Sequence, residues 1–435
     1  MTKFADAHDP VYAVQEQNLT PVDNYLSQSA AIPASRMFLI KKNLKIFTQD
    51  HPGEAVYDAS QGDGGASLPG VPDEILAAAA EMQIKNGTAY DMPYGTDLFR
   101  KTVIEDYWHL DHQLGYGPAN VLAGVGGRDV LVKAYQAMLS LGYGRQGDAI
   151  IVSRVPWISY TWGPYGIGAN VMYAPGSPED GWMYSEASIR SCVEFANRTE
   201  RKIACLVITC PENPTGLTIS PHRQVALAKA ALEAGVAFVL FDWMYHYVTD
   251  GEPMDLNSFL GYFEPAERGR LLFLDGITKS LGGSNIRNCH LIAAENVIKF
   301  IVARASHSVI PPFYSQAVAI TAYQRGYAKS SRTIVEPTNA SRSVLKAFLD
   351  HGDYQYILGK GYYAFINVDE AIAAHHWADS EPLGQYLAER HGIAVVPGMF
   401  FSKYGGQWIR FSYATPPERT QEALVRLARG LKSND

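Results

Sequence analysis

The chain has 435 residues, of which 47% are hydrophobic and 19% charged, and its formal net charge is -7. That length and apolar content provide for two or three globular domains with sizeable cores. The acidic balance argues against nonspecific nucleic-acid binding, which needs basic surface, and no apolar run approaches eighteen residues, so no membrane helix is expected.

The opening "MTKFADAHDPVY" contains no apolar segment of the kind a signal peptide needs. Cys192, Cys205, Cys210 and Cys289 form no CxxC pair. Reduced thiols in a cytoplasmic protein are the simplest expectation, with no bound metal. Residues 1–82 are irregular and rich in Pro, Asn and Ser, and read as an N-terminal arm plus part of a smaller domain. From about Asn120 to Glu295, apolar runs alternate with helical patterns. The runs are "NVLAGVGG", "DAIIVSRV", "NVMYAP", "IACLVITC", "VAFVLFD", "LLFLDGIT" and "HLIAAE". They lack in-out alternation and are rich in Val, Ile, Leu and Phe, which predicts strands buried on both faces of a mostly parallel sheet. Between two of them, "SPHRQVALAKAALEAG" reads as a helix: Ser220 suits the cap, Pro221 the first turn and Gly235 the exit. Strand, helix, strand in this order predicts an α/β domain over 83–312. Beyond Pro312 come long helical stretches, then "GYYAFINV", "IAVVPGM" and "WIRFSYA", and a closing helix "PERTQEALVRLARGL". Residues 313–435 therefore read as a smaller α+β domain.

Ligands bind outside the carboxyl ends of strands in an open parallel sheet. Here those ends carry Gly126, Gly127 and Arg128, then Trp157 and Tyr160, then Asn213, then Asp242 and Tyr245, then Thr278 and Lys279. A phosphate-type loop, an aromatic, an amide, an acid with a phenol, and an amine converge on one rim. Each has a bland reading alone: a turn glycine pair, a core tryptophan, an Asx turn, a strand-terminal aspartate, a surface lysine. One cofactor, pyridoxal 5'-phosphate, accounts for all of them. Its aldehyde needs a lysine amine, its pyridine nitrogen a carboxylate, and its phosphate a small-residue loop at a helix N-terminus with an arginine. Lys279 is the expected Schiff-base residue, and Arg287, eight positions later, the expected phosphate ligand. Arg410 lies inside the apolar run "WIRFSYA". A buried guanidinium needs an anion, and a substrate α-carboxylate is one candidate beside an internal ion pair.

These motifs resemble the class I/II aminotransferase family of fold-type-I pyridoxal-phosphate enzymes. The resemblance rests on "GITKSLGGSNIR", "NPTG" at Asn213–Gly216, "DWMY" at Asp242–Tyr245, "YDMPYGTDLFR" from Tyr90, "GGRDVL", and "PGMFF" followed by "WIRFSYA". It implies an aspartate-aminotransferase-like fold, with a large domain on a seven-stranded, mostly parallel sheet flanked by helices and a smaller α+β domain. The implied function is transfer of the amino group of an L-α-amino acid to a 2-oxo acid through Lys279. It further implies that Asp242 pairs with the ring nitrogen and that Tyr245 and Asn213 donate to the ring oxygen. Trp157 stacks on the ring, Gly126, Gly127, Arg128, Thr278 and Arg287 hold the phosphate, and Gly62 and Arg410 receive the α-carboxylate. Tyr90 reaches the phosphate of a neighbouring subunit, so a homodimer with shared sites is implied. Three positions depart from the family pattern. Gly276 replaces a hydroxyl, Trp243 stands where glutamate is frequent, and "NIRNCH" surrounds the arginine. A related outcome on the same cofactor, such as elimination or replacement, cyclisation, acyl transfer or oxidation, stays open, because motif residues do not separate these reactions.

Overall fold

The computed structural model describes residues 32, 36–249 and 253–432. Numbered along the chain, β1 (Tyr57–Asp58) belongs to a small sheet, and the large sheet is built from the next seven strands. These are β2 (Val121–Gly124), β3 (Ala149–Val152), β4 (Asn170–Tyr173), β5 (Ile203–Thr209), β6 (Phe238–Asp242), β7 (Leu271–Asp275) and β8 (Cys289–Ile292). Each of the first six falls within one of the seven apolar runs, and β8 starts one residue ahead of the last, at Cys289. Their spatial order is β2-β8-β7-β6-β5-β3-β4. The strands from β3 to β7 pair in parallel, and β8 runs antiparallel to both its neighbours. β5, β6 and β7 are buried at every residue, as strands covered by helices on both faces must be.

The connecting helix Pro221–Glu233 starts as its sequence predicts. The Ser220 hydroxyl accepts from the Arg223 N–H at 3.2 Å, and Pro221 occupies the first turn. Two helices outside the 83–312 stretch also pack into this layer. Ile75 and Ala79 of Asp73–Asn86, and Ala317 to Ala322 of Phe313–Gln324, share one core with Val239, Phe241 and Phe273. All residues from Ser315 to Tyr323 are buried. A helix apolar on all sides lies between layers rather than on a surface.

The remaining strands are β9 (Tyr356–Leu358), β10 (Tyr363–Asn367), β11 (Ile393–Ala394), β12 (Val396–Pro397) and β13 (Trp408–Ser412). β12-β13-β10-β9 form an antiparallel sheet, and β1 pairs in parallel with β11. The helices Arg332–His351, Ser380–His391 and Pro417–Lys432 close a second core around Leu345, Leu387 and Leu427. The two sheets meet at the carboxyl ends of β5, β6 and β7. There the glycine of "NPTG" is a contact point: Gly216 has φ +77°, and a Cβ on it would lie 2.0 Å from the Tyr363 carbonyl oxygen.

Candidate active site

A cleft of about 520 Å³ opens where the strand ends face the small sheet. Of the residues expected from sequence, Gly62, Gly127, Arg128, Trp157, Asn213, Asp242, Tyr245, Thr278, Lys279, Arg287 and Arg410 line it. Gly126 lies just behind them. Its φ is +82°, and a Cβ there would come within 2.1 Å of the Arg287 guanidinium. Tyr90 is not part of this cleft; it is 94% exposed.

Lys279 leaves the end of β7 and points its amine at the Gly62 carbonyl, to which it donates a hydrogen bond. Burial lowers its pKa to about 8; Asp63 opposes this, and Arg410 and Arg128 push in the same direction as burial. The lysine main chain is held as well, because the Tyr362 hydroxyl donates to its carbonyl. Asp242, at the end of β6, is 5% exposed. Its Oδ2 accepts from the Tyr160 hydroxyl at 2.6 Å and its Oδ1 from the Met244 N–H at 3.1 Å. Burial still wins over these bonds and pushes the Asp242 carboxyl up to about 6. A cation beside it would reverse that balance. The Tyr245 hydroxyl lies 2.9 Å from the Tyr363 hydroxyl, so a phenol from each sheet meets in the cleft.

One end of the cleft is cationic. Arg128 and Gly127 open the helix Gly127–Leu141, whose first turn contributes unpaired N–H groups and the positive end of a dipole. Arg128 lies over the Trp157 ring, 5.2 Å from its centroid. Arg287 donates to the carbonyls of Ser284 at 2.8 Å and Val125 at 3.2 Å, from a left-handed backbone with φ +60°. A positive φ is uncommon outside glycine and here accompanies a side chain turned back toward the Gly126 loop. Among the described residues no carboxylate pairs with either guanidinium, and the buried Thr278 hydroxyl has no partner. Where the cleft meets the small sheet, Arg410 is 4% exposed. It donates from Nη1 to Asn213 Oδ1 and from Nη2 to the Ser60 carbonyl, each at 2.7 Å, with its guanidinium over the Tyr363 ring.

Sequence reasoning left three cleft residues without roles. Tyr160 reads from the sequence as an aromatic near a strand end, yet it is the side-chain donor to Asp242. Tyr363 sits in "GYYAFINV", which reads as an ordinary strand; only its tertiary position reveals its hydroxyl. Ser60 is held by Asp58, whose Oδ1 accepts from the Ser60 N–H at 3.0 Å, and this presents the Ser60 carbonyl to Arg410. The departures from the family pattern also have places. A Cβ at Gly276 would lie 2.6 Å from Cys289 Cα on the neighbouring strand, so packing leaves no room for a hydroxyl-bearing side chain. Trp243 points away from the cleft into the core and donates from Nε1 to Gln224 Oε1 at 2.9 Å.

Pyridoxal phosphate fits this donor set. Its phosphate finds two guanidiniums without carboxylate partners, an unpartnered hydroxyl and a helix N-terminus. Its ring nitrogen finds a carboxylate that burial leaves in need of a cation, and its aldehyde an amine of lowered pKa. A family model described as aminotransferase class I and II matches residues 58–427. An aspartate aminotransferase of Bacillus subtilis (strain 168) is 24% identical over 361 residues, covering 82% of this chain and 87% of the relative. An aspartate/prephenate aminotransferase of Thermus thermophilus is 26% identical over 367 residues, covering 83% and 88%. The solved structure of an aspartate aminotransferase from Rhizobium meliloti has a TM-score of 0.79 at 22% identity, over 93% of this chain and 98% of that one. The Thermus thermophilus enzyme with maleate gives 0.77 at 24% identity, over the same shares of the two chains. The family match contains every cleft residue from Gly62 to Arg410, and the chain belongs to the aminotransferase class I and II family of pyridoxal-phosphate-dependent transferases.

Proposed function

We propose that Arg410 receives the α-carboxylate of an L-α-amino acid, whose amino group this aminotransferase moves to a 2-oxo acid with Lys279 as the proton-transfer residue. The observation that carries this reading is the buried Arg410 guanidinium, forked between Asn213 and the Ser60 carbonyl and without an ion-pair partner among the described residues. Burial of such a group is costly without an anion, and a carboxylate matches its fork.

Bound pyridoxal phosphate supplies an aldehyde for the substrate nitrogen and a cationic ring that stabilises negative charge at the substrate α-carbon. The chain supplies the rest. Arg410 and Asn213 orient the carboxylate and so turn the α-hydrogen toward Lys279. Lys279 Nζ, with its pKa lowered to about 8, holds a free electron pair in a useful fraction of molecules near neutral pH. It would take the α-proton and, as the resulting ammonium, hold that proton for return. Asp242 would pair with the ring nitrogen and keep it protonated, and Tyr160 and the Met244 N–H hold its carboxylate in place. Tyr245, backed by Tyr363, would donate to the ring oxygen, and Trp157 would stack on the ring. The side chain of the substrate faces Met37, Leu131 and Ile158, with the exposed Lys41 as the cation at the mouth. An apolar side chain would use the first three, and a distal carboxylate would use Lys41.

The protein is further read as a cytoplasmic homodimer in which the exposed Tyr90 reaches its partner's cleft. Sedimentation, together with the effect of Tyr90→Phe on cofactor affinity, tests that part. The central test uses the purified holoenzyme and a panel of L-amino acids without any oxo-acid acceptor. Stoichiometric loss of the cofactor's visible band with release of one 2-oxo acid supports the reading, and the responding amino acid names the side-chain class. Return of the band after turnover, with ammonia, a cyclised product or oxygen uptake, would replace transfer by another reaction of the same site.

A further inference from the structure

Behind the cleft, on the opposite face of the sheet, lies a buried polar cluster that the reaction as described does not use. Asp275 ends β7 one strand away from Asp242, and the register pairs Asp242 with Leu274. Successive strand residues face opposite ways, so the two carboxylates point to opposite faces. Asp275 is 1% exposed. Its Oδ2 accepts from the Tyr107 hydroxyl and from His246 Nε2 at 2.7 Å, and its Oδ1 accepts from the Gly276 N–H at 2.6 Å. The tautomer of His246 follows from its other nitrogen. The Met254 N–H donates to Nδ1 at 3.0 Å, so Nδ1 carries the lone pair and Nε2 the proton. The imidazole lies flat against Trp108, with centroids 5.0 Å apart at 13°. Tyr107 comes from the π-helical turn Val103–Tyr107, a local geometry that recurs at functional sites.

We propose that Asp275, His246 and Tyr107 act as a positioning triad that holds the Lys279 and Tyr245 turns in register for proton transfer. The inference rests on the transferase reading above. Its physical basis is connectivity. Gly276, whose N–H Asp275 holds, begins the turn to Lys279. His246, whose ring Asp275 holds, directly follows Tyr245. One carboxylate thus ties together the two turns that carry the amine and the phenol of the cleft. A buried carboxylate without a countercharge is expensive, and an apolar residue would fill the same volume more cheaply. Three donors aimed at it make a satisfied and rigid junction. Ser280, next to Lys279, extends the junction through a 2.6 Å contact between its hydroxyl and that of Tyr327.

The test is made on the holoenzyme with Asp275→Asn, Tyr107→Phe, His246→Gln and His246→Ala. Asparagine must turn its amide N–H groups toward donors, so it breaks the junction at nearly constant shape. The expected result is a fall in kcat of about tenfold or more for Asp275→Asn, with KM for the amino acid and the cofactor Kd within about twofold of the parent. The visible circular dichroism of the bound cofactor, which reports its setting on Lys279, should change in parallel. His246→Gln, which keeps a donor and an acceptor, should retain more of kcat and of that signal than His246→Ala, and Tyr107→Phe should show the smallest loss. Unchanged kcat and circular dichroism with only a lowered melting temperature would make the cluster a mere core element and overturn the proposal. So would losses that follow weakened cofactor binding. Should Asp275→Asn fail to fold, the His246 and Tyr107 variants decide by the same criteria. Should the parent give no amino transfer, the transferase reading fails, while the dichroism of the variants still reports whether the triad sets Lys279.

Discussion

The two faces of the sheet at the ends of β6 and β7 hold one buried aspartate each, and they are finished differently. Asp242, on the cleft face, has two hydrogen bonds and a carboxyl pushed up to about 6 by burial. Asp275, on the far face, has three donors and lies sealed among Tyr107, Trp108 and His246. A functional site is left electrostatically incomplete so that a ligand can complete it; a structural junction is completed by the chain itself. The same contrast separates Arg410, which has no carboxylate partner among the described residues, from Trp243, whose one donor is already bonded to Gln224.

The sharpest break in the comparison is Lys279→Ala. It removes the amine proposed to carry the α-proton, and single-turnover transfer should slow by about 10³-fold or more, within the range set by lost general-base catalysis. Next comes Asp242→Asn, which should slow transfer by about 10²-fold and weaken cofactor binding, as followed by equilibrium absorbance. It should also separate the two faces by pH. Because the Asp242 carboxyl is raised from 3.8 to about 6, the folded apo-protein binds more protons than the unfolded chain between those values. Its stability therefore falls as pH rises through that window, by about 3 kcal/mol from this group at 1.36 kcal/mol per unit. The melting temperature of apo Asp242→Asn should overtake that of the parent at pH 8 and lose the advantage at pH 4.

Arg410→Lys should raise KM for the amino acid by roughly tenfold to a hundredfold, since a lysine cannot reproduce the guanidinium fork, while the cofactor stays bound. Tyr363→Phe removes one partner of a 2.9 Å phenol pair and should lower kcat about threefold, the scale of one net hydrogen bond. The smallest effect on activity belongs to a far-face residue outside the Asp275 triad. Trp243→Phe should leave kcat/KM within about twofold and lower stability by roughly 1–3 kcal/mol through the lost indole bond and volume. A large kinetic effect of Trp243→Phe would erase the distinction between the cleft with its positioning triad and the core packed behind them.

Much of this was readable from the chain. The seven strands announced themselves because strands buried on both sides must be apolar throughout, and "IACLVIT" or "LLFLD" permits little else. The cleft residues were readable because loops at strand ends carry chemistry that packing does not demand, as with Asn213 in "NPTG" and Lys279 after β7. Tyr160 and Tyr363 were hidden among many other tyrosines, since an aromatic at a strand end or in an apolar run has an adequate packing explanation. The helix Phe313–Gln324 looked like the start of a new domain, although a segment apolar on every side has to lie between layers.

By itself, then, the sequence determined the alternation that makes the parallel sheet, the polar residues that line the cleft at its rim and the membership of a transferase family. These follow from local period, from turn chemistry and from residue types that stand where no core needs them. Tertiary structure alone decided which face each side chain joins. The register of β6 against β7 sends Asp242 toward the cleft and Asp275 away from it, and the meeting of two sheets brings Tyr363 to Tyr245 across a separation of 118 residues. Strand pairing and sheet packing are long-range interactions, so the two-residue alternation of a strand becomes an inside and an outside only when its neighbours are in place.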